Sequence, residues 1–208
     1  LSVDGETTVT EPHLSRDHSE RMLSCFGADV RPFAGGVALS GRPRLVAQEI
    51  TVPGDISSAA FFITGALLIN NSDIAIKGVG INPTRTGLIS VLKEMGATIN
   101  ITHMRNVTGE PVADINCQGG QALNAIHITK EKIPALIDEF PILCVAATQA
   151  EGTTTIKGAE ELRVKESDRI KVIASELKKM GAEIEEFEDG LSIKGKCQLK
   201  GTVVESYR

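Results

Sequence analysis

The chain has 208 residues, of which 41% are hydrophobic, and a formal net charge of −5 at pH 7. That length and apolar content allow a substantial core in roughly one or two domains. The negative charge, the 3% aromatic content and the absence of Trp argue against nucleic-acid binding, and no apolar run is long enough to span a bilayer.

The first predicted helix ends in the segment Met22-Leu23-Ser24-Cys25-Phe26-Gly27-Ala28, and two later helices end alike. The later endings are Val91-Leu92-Lys93-Glu94-Met95-Gly96-Ala97 and Leu177-Lys178-Lys179-Met180-Gly181-Ala182. Each glycine suits a left-handed helix C-cap. Two short strands are predicted after each glycine: 29–32 with 37–39, 98–102 with 113–117, and 183–187 with 191–194. The chain therefore repeats a helix, strand, strand unit.

The segment Val52-Pro53-Gly54-Asp55 separates a strand predicted from about Gln48 from an apolar helix predicted at about 57–69. Its Pro and Gly indicate a candidate domain crossing. Asp55 stands where a helix N-cap is expected.

Residues 82–87 form the loop before the second of the three similar helices. Arg85 is the single cation of this loop, and Pro83 and Thr84 suggest a turn and a cap. We therefore favour a structural role for this loop.

The second half of the chain repeats the pattern from about Ala125. An apolar helix is predicted at about 140–149, and the strand Thr154-Thr155-Ile156-Lys157-Gly158 echoes Ile74-Ala75-Ile76-Lys77-Gly78. The full unit reads strand, helix, strand, helix, strand, strand. This alternation predicts an α/β fold built from repeated βαβαββ units, with helices covering the sheets.

Asp138 lies within Ile133-Pro134-Ala135-Leu136-Ile137-Asp138-Glu139-Phe140. Its apolar neighbours would favour a neutral carboxyl, whereas a nearby lysine would favour the ionised form. Such opposed influences suit a general base, and a plain helix N-cap explains the position equally well.

The segment Leu162-Arg163-Val164-Lys165-Glu166-Ser167-Asp168-Arg169 concentrates three cations and two carboxylates before a predicted helix. The apolar spacing of that helix indicates one buried face, and it is set by Ile170, Ile173, Ala174, Leu177 and Met180. Ser167 or Asp168 can cap its start. Cations at a helix N-terminus favour an anion site, although a solvated, charged helix start is the simpler interpretation.

Cysteine and histidine spacing indicates neither disulfides nor metal. The thiols of Cys25, Cys117, Cys144 and Cys197 show no Cys-x-x-Cys pair, which predicts reduced, buried thiols and a cytoplasmic location. We assign no metal to the four histidines, which are His13, His18, His103 and His127.

Four motifs in order carry a family resemblance: Pro53-Gly54-Asp55-Ile56-Ser57-Ser58-Ala59-Ala60, Asn82-Pro83-Thr84-Arg85-Thr86-Gly87, Ile137-Asp138-Glu139-Phe140-Pro141-Ile142-Leu143 and Arg163-Val164-Lys165-Glu166-Ser167-Asp168-Arg169. With them the chain resembles the 5-enolpyruvylshikimate-3-phosphate synthase family over essentially all its length. The resemblance implies the enolpyruvyl transferase fold, a two-domain inside-out α/β barrel. Residues 1–53 would be the last part of the first domain and 54–208 most of the second.

The resemblance also implies a reaction. The enolpyruvyl group of phosphoenolpyruvate moves to the 5-hydroxyl of shikimate 3-phosphate and phosphate is released, on the route to chorismate and aromatic amino acids. No cofactor is implied, and the full-length protein is expected to be a monomer. Because the family pattern extends beyond both ends of the chain, we expect a piece of a longer protein that is inactive alone.

Roles follow by resemblance, residue by residue. Asp138 would bind shikimate 3-phosphate and accept the proton of its 5-hydroxyl, with Lys165 beside it stabilising the developing alkoxide. Glu166 would deliver a proton to the methylene carbon of phosphoenolpyruvate, for which it must be partly desolvated or near negative charge. Arg169 would hold phosphoenolpyruvate, and Arg16 would contact shikimate 3-phosphate as in some family members. The chain departs from others at Glu161, which receives no role.

Two alternatives remain open at this stage. The related enolpyruvyl transferase that acts on UDP-N-acetylglucosamine shares the repeat, but it uses a loop cysteine, and Cys25 on an apolar helix face is a poor candidate. A catalytically silent anion-binding or scaffold domain would also retain the repeat.

Overall fold

The computed structural model describes residues 1–12 and 15–207. His13, Leu14 and Arg208 lie outside the described residues. The expectation that His13 binds no metal therefore concerns a residue outside the described ranges. The strands are β1 (Glu6–Thr10), β2 (Val30–Phe33), β3 (Gly36–Ser40), β4 (Asp73–Gly80), β5 (Ile99–Val107), β6 (Glu110–Gln118), β7 (His127–Ile128), β8 (Gly152–Ile156), β9 (Glu183–Phe187) and β10 (Gly190–Gly195). The α-helices are α1 (His18–Cys25), α2 (Ile56–Leu68), α3 (Gly87–Glu94), α4 (Phe140–Gln149) and α5 (Arg169–Lys179).

The strands form sheets that share one topology. Their orders are β1-β3-β2, β4-β6-β5 and β7-β8-β10-β9. In each sheet a hairpin follows the helix, and the second strand of that hairpin pairs antiparallel with the strand before the helix. The repeated unit predicted from the sequence is confirmed as a repeated pairing pattern.

The helix endings explain why the repeats superimpose in sequence. Gly27, Gly96 and Gly181 all have positive φ, at 90°, 102° and 98°. After each glycine the N–H of an alanine bonds back into the helix, as Ala182 N does to Leu177 O at 3.0 Å. This helix ending satisfies carbonyl groups that the helix leaves without a partner. Glycine adopts the left-handed geometry without steric cost.

The hydrophobic core lies in the part of the chain after residue 54. Helices α2 and α4 pack against each other, α2 also packs on β4, and α4 packs on β10 and α5. Most of the largest fully buried side chains come from α2, α3, α4 and the two sheets after residue 54, and they include Phe140, Ile63, Leu92, Ile115, Leu143, Ile156 and Leu191. Among the described residues before position 54, Ala28 alone is buried.

The prediction of a strand from about Gln48 is wrong. Its position in the unit is taken by a single parallel bridge between Gly54 and Val79, with Gly54 N bonded to Gly78 O at 2.8 Å. Pro53 lacks an N–H and so cannot extend the ladder towards Gln48. In the next unit, β7 occupies the matching place and pairs parallel with β8.

The prediction of buried thiols holds for two cysteines. Cys117 and Cys144 are buried, whereas Cys25 and Cys197 are only partly covered, and all four are free. Helix α1 has no buried residue, so the helix face that carries Cys25 is only partly covered. No helix in the described ranges is long and apolar enough to cross a membrane.

Candidate active site

Asp138 and Glu139 lie in a tightly wound turn between the 3₁₀ segment Lys130–Ala135 and α4. The hydrogen bonds Leu136 N to Ile133 O and Glu139 N to Leu136 O, both 2.9 Å, continue the three-residue period. Residues three apart share a face in such a turn. Ile133, Leu136 and Glu139 are therefore buried, and Asp138 points outward with a side chain that is 34% exposed.

The N-cap interpretation of Asp138 is wrong. Glu139 occupies the N-cap position of α4 and makes no side-chain cap bond. The corresponding expectation for Asp55 is confirmed, because its carboxylate accepts from Ser57 N at 3.3 Å and Ser58 N at 2.8 Å. Asp138 is thus free of a capping role and faces a cavity.

A cavity of about 400 Å³ brings together three of the sequence-predicted substrate residues. It is lined by Ser15, Arg16, Pro134, Ile137, Asp138, Glu161 and Lys165. These side chains come from three separate stretches of the chain: the segment before α1, the turn before α4, and the 3₁₀ segment Glu160–Val164 with the residue that follows it. Arg16, Asp138 and Lys165 therefore share one surface although they are distant in sequence.

Each cation of the cavity is paired with a carboxylate. Arg16 Nη2 forms an ion pair with Asp138 Oδ2, and Lys165 Nζ forms one with Glu161 Oε1. Glu161, to which the sequence assigned no role, is thus the partner of Lys165. These side chains are partly exposed, so an incoming anion can compete for both cations with little desolvation cost.

The loop before α5 is held by Arg163, one of the three cations of this segment. Arg163 Nη1 donates to Asp168 Oδ2 at 2.8 Å, and its Nε donates to Glu188 O at 2.6 Å. Asp168 in turn caps α5 by accepting from Lys171 N at 2.9 Å. Arg163 is therefore committed to tying the loop to the turn between β9 and β10, and only the Asp168 cap prediction is confirmed.

Glu166 and Arg169 are paired with each other and are not among the cavity-lining residues. Arg169 Nη2 donates to Glu166 Oε2 at 2.7 Å, and the Glu166 side chain is 81% exposed. The backbone N–H of Glu166 and the Arg169 guanidinium hold the pKa of Glu166 below its ordinary value. The desolvated or negatively charged surroundings expected for Glu166 are thus absent in this arrangement.

Arg85 lies close to Asp138, a proximity that the sequence did not predict. Asn82 Oδ1 accepts from Thr84 N at 2.9 Å and forms the predicted turn, but Thr86, not Thr84, is the N-cap of α3. Arg85 Nη2 comes within 3.9 Å of Asp138 Oδ2. The purely structural interpretation of this loop is therefore incomplete, because a guanidinium approaches the candidate base.

Glu139 is the buried carboxyl of this region. The sequence had predicted such apolar surroundings for Asp138 instead. It is 3% exposed, and its Oε1 accepts a hydrogen bond from Ser57 Oγ. Burial raises the pKa of Glu139 above its ordinary value, against the opposing effects of Ser57 and Arg85. A three-residue period through Ile133, Leu136 and Glu139 was the signal that could have identified it.

This pKa shift makes chain stability depend on pH. Because the folded pKa of Glu139 is raised above its ordinary 4.5, its contribution to the free energy of unfolding is complete below that pH and is lost as pH rises through the folded pKa. We expect Glu139→Gln to gain stability relative to the unsubstituted chain as pH rises above about 4.5. Urea unfolding from about pH 4 to about pH 7 measures this.

The control is Glu185→Gln, on the exposed side of β9. Its stability should follow that of the unsubstituted chain over the whole pH range. Parallel curves for Glu139→Gln would contradict the assigned shift.

Within the described ranges, no group of three or more His, Cys, Asp or Glu side chains could hold a metal ion. The cavity instead presents carboxylates, an ammonium and guanidinium groups at or near one surface. Such groups can bind a phosphorylated or carboxylated small molecule and move a proton.

Comparison with known proteins agrees with this geometry. The sequence is 54% identical over 207 residues to a 3-phosphoshikimate 1-carboxyvinyltransferase of Geotalea uraniireducens and 56% identical over 209 residues to one of Thermodesulfovibrio yellowstonii. Each alignment covers 100% of this chain and 48% or 49% of the relative. The chain therefore spans about half the length of the curated relatives it matches.

Solved structures show the same fold. An EPSP synthase from Acinetobacter baumannii is similar with a TM-score of 0.89 and 50% identity, over 94% of this chain and 44% of that one. The enolpyruvyl transferase NikO from Streptomyces tendae is similar with a TM-score of 0.72 at 20% identity, over 95% of this chain and 44% of that one, which supports the fold alone. The expected enolpyruvyl transferase α/β fold is confirmed.

The family assignment covers every residue. The sequence matches the family described as EPSP synthase (3-phosphoshikimate 1-carboxyvinyltransferase) across residues 1–208. With the repeated βαβαββ units and the relatives above, the chain belongs to the EPSP synthase family.

Proposed function

We propose that the full-length protein containing this chain transfers the enolpyruvyl group of phosphoenolpyruvate to the 5-hydroxyl of shikimate 3-phosphate and releases phosphate. The observation that carries the proposal is the cavity shared by Arg16, Asp138 and Lys165, in a chain of the EPSP synthase family. The reaction belongs to the shikimate pathway, towards chorismate and the aromatic amino acids.

Asp138 is the base in this proposal. Its carboxylate accepts the proton of the 5-hydroxyl while that oxygen forms a bond to the central carbon of phosphoenolpyruvate. Lys165 lies on the same cavity, where its ammonium would stabilise the negative charge that develops on the oxygen. Binding shikimate 3-phosphate would draw Arg16 and Lys165 from their present carboxylate partners, Arg16 towards the phosphate and Lys165 towards the 5-hydroxyl.

Arg169 and Glu166 act on phosphoenolpyruvate in the same proposal. The Arg169 guanidinium suits a carboxylate or phosphate through paired hydrogen bonds. When Arg169 turns to that anion, Glu166 loses its present partner and gains negative charge beside it. Both changes favour the protonated form, from which Glu166 would protonate the methylene carbon. As phosphate leaves, the resulting carboxylate would take a proton back from the methyl group, which restores the double bond.

We also propose that residues 1–53 are the last part of a first domain and that residues 54–208 form most of a second domain. The separate β1-β3-β2 sheet and the scarcity of buried residues before position 54 support this division. The free thiols support a cytoplasmic location. A monomeric full-length protein stays a prediction.

The proposal is tested by measuring phosphate release from phosphoenolpyruvate and shikimate 3-phosphate with a coupled assay on the full-length protein. We expect turnover with shikimate 3-phosphate and none with UDP-N-acetylglucosamine, whereas the 208-residue chain alone should give none. Turnover with the nucleotide sugar instead would assign the protein to the related transferase.

A further inference from the structure

A side-chain network next to Asp138 is built from residues that do not line the 400 Å³ cavity. Arg85 Nη2 donates to Ser57 Oγ at 2.7 Å, and Ser57 Oγ bonds Glu139 Oε1. The same Arg85 nitrogen lies 3.6 Å from Asp55 Oδ1 and 3.9 Å from Asp138 Oδ2. One guanidinium therefore faces three carboxyl groups, two of them next to each other in sequence.

The chain holds Arg85 firmly in this place. Its backbone N–H bonds Asn82 O at 2.8 Å in a turn, and Asn82 is itself 2% exposed. The Arg85 side chain is only 16% exposed, and its Nε is buried without a hydrogen-bond partner among the described residues. A cation kept buried at such a cost is typical of a site whose geometry depends on it.

Arg85 and Arg16 both approach Asp138 Oδ2, but they line different cavities. Arg16 lines the 400 Å³ cavity, whereas Arg85 lines a neighbouring cavity of about 330 Å³ together with Asp55. Arg16 is engaged with substrate in the proposed function, so it cannot keep its present pairing throughout the reaction. Ser57 and Glu139, which anchor Arg85, do not line the substrate cavity.

We propose that Arg85, anchored by Ser57 and Glu139, is a positioning residue that keeps the Asp138 carboxylate oriented towards the substrate cavity. This inference rests on the proposed function of Asp138 as the base. It predicts an effect on kcat exerted through Asp138, because Arg85 does not line the substrate cavity.

The experiment is a double-mutant cycle on the full-length protein. We expect Arg85→Met to lower kcat by about 10- to 100-fold, the scale of a displaced catalytic group, with the KM for shikimate 3-phosphate changed by less than about 2-fold. In the Asp138→Asn background, the same substitution should change kcat by less than about 2-fold, since the group it positions is gone. Arg85→Lys should recover part of the loss because it keeps the charge.

The matched control is Arg105→Met. Arg105 Nη1 also lies 3.9 Å from a carboxylate, Asp114 Oδ1, but it belongs to β5 and lines neither cavity, so kcat should be unchanged. Should Arg85→Met fail to fold, Arg85→Lys replaces it in the cycle, with a loss of about 10-fold expected in the unsubstituted background only.

The outcomes separate the two proposals. Equal losses from Arg85→Met with and without Asp138, or unchanged kcat, overturn the positioning role while leaving the proposed function intact. Absence of turnover in the unsubstituted full-length protein overturns both.

Discussion

Asp138→Asn in the full-length protein is expected to lower kcat by about 100-fold or more, the usual scale for loss of a general base. An amide keeps the size of the side chain but cannot accept the proton of the 5-hydroxyl. It also cannot form the present ion pair with Arg16. Steady-state phosphate release with both substrates saturating measures the loss, and circular dichroism confirms that the variant is folded.

Asp73→Asn is the control for this experiment. Asp73 is an exposed carboxylate at the start of β4 that accepts one hydrogen bond, from Gln118 at 3.3 Å. Its removal should leave kcat within about 2-fold, as expected for a surface substitution. If Asp138→Asn turned over as fast as Asp73→Asn, the base assignment would fall and a silent scaffold would become the better interpretation.

Phe140→Ala is expected to reduce the free energy of unfolding of the 208-residue chain by about 3–5 kcal/mol. Phe140 is 1% exposed at the first position of α4, where truncation leaves a cavity that the surrounding core cannot fill. Urea unfolding at constant pH measures the loss from the shift of the midpoint.

Phe62→Ala tests whether burial is the cause. Phe62 belongs to α2 and is 68% exposed, so we expect its truncation to change the free energy of unfolding by less than about 1 kcal/mol. Equal losses from both substitutions would show that the core does not lie between α2 and α4 in the way described.

The repeat was predictable because local signals mark it. A glycine after each of three similar helix ends, followed by two alternating strands, requires no long-range information. The strand at Gln48 failed for the opposite reason. A strand at that position needs a neighbouring strand with which to form hydrogen bonds, and Pro53 limits this pairing to Gly54.

The candidate site was predictable in part. Motif resemblance identified Arg16, Asp138 and Lys165, which the structure brings to one cavity. Arg85 and Glu139 were missed, because their proximity to Asp138 depends on how α2, α3 and the turn before α4 pack together. Only the three-residue period at Glu139 was readable in advance.

The bond between Arg16 and Asp138 joins residues that are 122 positions apart. Closing so long a loop costs more chain entropy than forming any one hairpin, so this contact is expected late in folding. A population with every helix and strand formed can therefore still lack the cavity. Secondary-structure content alone is a poor assay of whether this chain has formed the cavity between Arg16, Asp138 and Lys165.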